Sequence, residues 1–91
     1  MAICIYFPIE GMSTEKYDAV QSGLEAAGQS APAGRTYHVA FRAGGALHVV
    51  DVWDSMETFE AFGGTLMPLL AEQGIDPGSP EIAEVYRIIV G

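Results

Sequence analysis

The sequence predicts an α+β fold in the order β-α-β-β-α-β. Two stretches, 13–27 and 55–72, place apolar residues at helical spacing, and shorter runs rich in β-branched and aromatic residues separate them. A glycine pair, Gly44-Gly45, joins two of those runs as a hairpin turn does. Serine, threonine or aspartate stands just ahead of each helical stretch, where the first turn needs a side-chain acceptor.

Each element follows in order. Ala2 to Phe7, "AICIYF", is bounded by Pro8 and Gly11 and reads as the first strand. Ser13 or Thr14 offers an N-cap, with Glu15 in the first turn. Tyr17, Val20, Leu24 and Ala27 then form one apolar stripe, and Gly28 supplies the terminating glycine. Ser30 to Gly34 is a loop. "RTYHVAFRA" and "ALHVVDVW" are strands two and three. The third strand is apolar on both sides, with Leu47, Val49 and Trp53 on one and Val50 and Val52 on the other. An antiparallel strand wet on one side alternates cleanly, so both sheet faces are expected to be covered.

At Asp54 the period changes. Asp54-Ser-Met-Glu57 fits a capping box, with Asp54 at the N-cap and Glu57 three residues on. Phe59, Phe62, Leu66, Leu69 and Leu70 mark the apolar face of the second helix. Gly63-Gly64 and Pro68 interrupt it, and the Pro68 ring drives toward the carbonyl of residue 64, so a kink or break is expected there. Its C-terminal half is then free to lift and admit a ligand. Gly74 to Pro80 is a loop, and Glu81 to Val90 reads as strand four.

Right-handed connections turn this order into a ferredoxin-like α+β domain. The four-stranded antiparallel sheet runs 4-1-3-2, with both helices on one face. The other face is left bare, although strand three is apolar there too. A second copy packing on it, as a homodimer, is the simplest cover.

The bulk numbers agree with one domain over residues 1–91. A chain this short has a thin core, burying only about 60–65% of its unfolded surface. Four basic residues stand against twelve acids, a net charge of -8, which argues against nucleic acid and anionic membrane surfaces as partners. No apolar run approaches the roughly 20 residues that span a bilayer. The N-terminus has no basic region ahead of an apolar run, so the expected location is cytoplasmic. Cys4 is alone, excludes an internal disulfide, and is expected as a small buried hydrophobe of strand one.

The βαββαβ order, "HVAF" in strand two, and "VVDVWDSMETFEAF" running into "LMPLL" resemble the dimeric α+β barrel superfamily. More narrowly, they resemble the small proteins related to antibiotic-biosynthesis monooxygenases. The resemblance covers nearly the whole chain and is sharpest where strand three meets helix two. It implies a cavity between sheet and helices. Activities in the group include cofactor-free oxygenation of aromatic polyketides, haem degradation, isomerisation and decarboxylase-like chemistry, and many members have no assigned role. The fold does not carry the function across.

Candidate site residues follow from the hairpin. With an even-length turn at Gly44-Gly45, residues whose numbers sum to 89 face one another: Arg42 with Leu47, Ala40 with Val49, His38 with Asp51, Thr36 with Trp53. One face then carries Arg42, His38, Asp51 and Trp53. A carboxylate beside an imidazole fixes its tautomer, which suits a general base near neutral pH. His38 and Asp51 are therefore the candidate catalytic pair. Trp53 offers a flat wall to an aromatic ligand, and Phe59, Phe62, Leu66, Arg42 and Tyr86 are candidate substrate contacts. His48 belongs to the other face, opposite Phe41, and reads as peripheral. Two histidines ten residues apart, with no cysteine partner, give no metal spacing, and no glycine-rich phosphate loop follows a strand, so no metal or cofactor is expected. Two functions fit: a cofactor-independent monooxygenase acting on a small aromatic or conjugated substrate, or a non-catalytic small-molecule-binding or structural homodimer.

Overall fold

Six elements account for the computed structural model, which describes all 91 residues. They are β1 (Ile3–Phe7), α1 (Thr14–Ala26), β2 (Arg35–Ala43), β3 (Ala46–Trp53), α2 (Met56–Glu72) and β4 (Glu81–Glu84). The strands form one antiparallel sheet in the order β2-β3-β1-β4, the expected topology.

Local chemistry sets the helix ends. Ser13 caps α1, its Oγ accepting from the Lys16 N–H at 3.1 Å. Both helices end in the same six-residue closure: Gln29 N–H donates to Leu24 O and Gly28 N–H to Glu25 O, while Ile75 N–H donates to Leu70 O and Gly74 N–H to Ala71 O. Ile75 and Leu70 are both buried, so the second closure also adds an apolar contact to the core. At the start of α2 the cap lies one residue later than the sequence pattern suggests. Ser55 is the N-cap, accepting from Thr58 N–H at 3.2 Å, and Asp54 instead accepts from the Thr58 hydroxyl at 2.7 Å. Glu57 therefore sits in the first turn without closing a capping box.

The β2–β3 hairpin turns on Gly44 and Gly45, both at positive φ (60° and 82°), the two-residue geometry that glycine reaches without strain. From Ala43 to Tyr37 the pairing obeys the sum of 89, including His38 with Asp51. It then breaks. Trp53 pairs with Arg35 rather than Thr36, because a β-bulge takes Thr36 out of register.

Ile5, Phe7, Leu47, Val49 and Trp53 from the sheet meet Val20 and Leu24 of α1 and Phe62 and Leu70 of α2 in a single core. Both helices thus lie on one face. Asp51, 3% exposed, is the one charged side chain buried with them. The opposite face is bare: Tyr37, Val39 and Phe41 are exposed there, and Cys4, expected buried, is half-buried on this side.

Two further expectations are corrected. A kink or break is expected at Pro68; α2 is a single helix through Gly63, Gly64 and Pro68, so the break does not occur. β4 stops at Glu84 instead of Val90. The cause is its partner: Glu84 already faces Ile3, and Val85 N–H takes the carbonyl of Ala2. Beyond that the antiparallel strand runs past the start of β1 and finds no ladder to join. No helix is long and apolar enough to cross a membrane.

Candidate functional site

Under the helices, β2 and β3 bring together the one polar chain of the core. His38 and Asp51 are cross-strand partners, so their side chains leave the sheet on the same side. The His38 Nδ1 to Asp51 Oδ1 distance is 2.6 Å. The carboxylate only accepts, which puts the hydrogen on Nδ1 and leaves Nε2 as an acceptor. The Tyr17 hydroxyl, delivered by α1, then donates to Nε2 at 2.7 Å. Trp53 Nε1–H donates to the other carboxylate oxygen, Oδ2, at 3.3 Å. A hydroxyl, an imidazole and a doubly held carboxylate thus stand in line, and every buried polar side-chain atom has a partner.

This line opens onto a cavity of about 40 Å³ lined by fourteen residues, ten of them hydrophobic. The other four are Gln21, Arg35, His38 and Asp51, and Tyr17, counted with the hydrophobic ten, adds its hydroxyl. Burial pushes the Tyr17 phenol above its ordinary pKa of 10.0; the Arg35 charge opposes this, and the charges of Asp51 and Asp18 add to it. The hydroxyl is therefore neutral and a donor at physiological pH.

The other residues singled out in the sequence divide. Phe62 and Leu66 line the cavity. Trp53, 0% exposed, and Phe59 stand behind it: Trp53 packs against Phe59 and Phe62 with ring centroids 5.7 and 5.1 Å apart, and Trp53 acts on the site through its bond to Asp51. Arg42 is exposed near the hairpin turn, away from the cavity. Tyr86 is 94% exposed, beyond the end of β4. His48 lies on the open face, where it stacks on Phe41 and meets the Tyr6 hydroxyl at 2.9 Å.

Sequence reasoning missed Tyr17 and Arg35. Tyr17 was one position of an apolar stripe, yet a tyrosine turned to the core must find a partner for its hydroxyl, and that was the available signal. Arg35 owes its direction to the Thr36 bulge, which leaves no mark in the pattern of residues.

The fold, a four-stranded antiparallel sheet with two helices on one face, is similar to that of solved structures described as antibiotic biosynthesis monooxygenases and of others of unknown function. A candidate antibiotic biosynthesis monooxygenase from Deinococcus radiodurans superposes with a TM-score of 0.61 at 13% identity, over 99% of this chain and 97% of that one. SnoaB, a cofactor-independent oxygenase from Streptomyces nogalater, superposes with a TM-score of 0.59 at 16% identity, over 97% of this chain and 94% of that one. NE2512 of Nitrosomonas europaea, a protein of unknown function, reaches 0.55 at 19% identity, over 99% and 94%. No family model and no curated protein matches the sequence.

Proposed function

We propose that this chain is a cofactor-independent monooxygenase acting on a small aromatic or conjugated substrate. The observation that supports this reading best is the Tyr17–His38–Asp51 line facing an apolar cavity. His38 is the general base. Asp51 holds its tautomer, and Trp53 holds Asp51. Because Tyr17 occupies Nε2, the substrate's proton passes through it: the phenol gives its hydrogen to His38 as it takes one from the substrate. The raised pKa of Tyr17 favours this concerted route over a free phenolate. The deprotonated substrate, electron-rich and screened from water, reduces dioxygen. One oxygen atom stays on carbon and the other leaves as water.

An anthrone serves as probe. It loses a proton from its benzylic carbon, one dioxygen is consumed, and anthraquinone and one water are formed, so the reaction balances without an added reductant. Oxygen uptake with anthrone is expected from the purified protein and is expected to fall by about 10²–10⁴-fold in His38→Gln, the range that a positioned base contributes. Uptake equal to that of buffer ends this reading.

The second reading, a non-catalytic ligand-binding or structural dimer, has one observation in its favour. A cavity of about 40 Å³ accommodates water or dioxygen but not an aromatic ring. Catalysis therefore requires the site to open. A homodimer through the bare sheet face belongs to both readings.

A further inference from the structure

Arg35 is one of only four basic residues in a chain with twelve acids. The one ion pair in the structure joins His38 to Asp51, so the Arg35 guanidinium has no carboxylate partner. Its position is nonetheless fixed. The Thr36 bulge puts it opposite Trp53, on the same side of the sheet as His38 and Asp51; in an unbroken ladder Thr36 would hold that place and Arg35 would turn to the bare face. Arg35 Nη2 donates to Ser30 O at 3.0 Å, and its guanidinium carbon lies 5.8 Å from the Phe62 ring centroid. It lines the cavity, and its charge is felt at Tyr17.

Next to it is a wider recess of about 250 Å³, between residues 29–33 and the first half of α2. Phe62 forms a wall of both spaces. That one ring separates the recess from the cavity, and Arg35 lies beside it.

We infer that Arg35 is the anion-receiving residue of the site, and that the natural ligand is an aromatic or conjugated carboxylic acid. Its ring lies in the recess against Phe62 and its charged oxygens meet Arg35. A guanidinium with free N–H groups, partly withdrawn from water and without a counter-ion, matches a carboxylate in charge and planar geometry. The surplus of acids elsewhere repels anions, so recognition depends on this contact. The inference rests on reading the cavity as the reaction site and adds the class of molecule it takes.

The test compares 2-naphthoate with 2-naphthamide, which has nearly the same shape and no charge, by calorimetric titration. The wild-type protein is expected to bind the acid at least about tenfold more tightly. In Arg35→Gln the ratio falls to about one while amide affinity stays unchanged. Amide chemical shifts in the wild-type protein locate the ligand without any variant: Arg35 and Phe62 move on adding the acid. The inference is overturned by equal wild-type affinities, by no binding of either probe at millimolar concentration, by a ratio that survives Arg35→Gln, or by shifts confined to Arg42 or Arg87. Oxygen uptake is read separately. An acid preference in the wild-type protein that is lost in Arg35→Gln, with no uptake, refutes only the oxygenase; a wild-type ratio of one with uptake intact refutes only the acid ligand.

Discussion

Asp51 holds two donors at once, His38 Nδ1–H and Trp53 Nε1–H, in a core with no other charged side chain. Removing the carboxylate leaves both donors without an acceptor, where each buried unsatisfied group costs about 1–3 kcal/mol. Asp51→Ala is therefore expected to lose several kcal/mol, read as a lower urea midpoint. Asp51→Asn keeps the shape but can present its amide to His38, and oxygen uptake should then fall together with that of His38→Gln. Tyr17 makes a prediction about pH. Its pKa is raised in the folded state, so folding holds its proton more tightly than the unfolded chain does. That stabilisation is complete below the unfolded value of 10.0 and is lost as pH climbs through the higher folded value. Melting temperatures should fall above pH 10, and Tyr17→Phe should flatten the decline; parallel curves would show that other groups cause it.

Among the elements, the loop before β2 controls the site most directly. Gly34 has a φ of 92°, and a Cβ there would lie 2.5 Å from the Thr58 side chain and 2.8 Å from Asp54 Oδ1. Its carbonyl accepts from Asp54 N–H at 2.8 Å. The loop is thus seated on the joint between β3 and α2, with Arg35 next in line. Gly34→Ala combines strained backbone with a clash and is expected to destabilise by about 1–3 kcal/mol or more. It should also weaken the naphthoate preference, although residue 34 touches neither cavity nor recess. In α2, Pro68 has no N–H to offer the carbonyl of Gly64, and Gly63 and Gly64 lie about one turn before it. The helix is unbroken, but this stretch has the weakest local reasons to be one. Amides of residues 62–70 should exchange faster than those of α1, and Pro68→Ala should slow them. Equal protection in the two helices would leave Phe62 and Leu66 with no means of opening the cavity.

At the scale of the whole molecule the bare sheet face decides the assembly. Val39 is 52% exposed, and Tyr37 and Phe41 lie beside it on a sheet whose other face is fully used. Patches of this kind on a small domain mark an interface. Light scattering at micromolar concentration should give twice the chain mass of 9.7 kDa, and Val39→Asp should return it to one chain. A wild-type monomer refutes the homodimer. The topology itself was legible in the chain. Periods of 3.6 and 2, helix caps and the glycine turn are local properties, each written in a few consecutive residues. They determined six elements, their order, the hairpin register from Ala43 back to Tyr37 and the meeting of His38 with Asp51, though not the bulge that puts Arg35 rather than Thr36 opposite Trp53. Where α2 starts turns on which of two neighbouring side chains, Asp54 or Ser55, takes the Thr58 N–H, and α2 runs on through an exposed Pro68 without a break. Where β4 ends was misread because it depends on a partner remote in sequence, β1 running out at Ala2. The same holds for the site. Only the crossing of α1 over β2 brings the Tyr17 hydroxyl to His38, and only a bulge of one residue turns Arg35 inward; neither leaves a period, because both are set by how finished elements settle against one another.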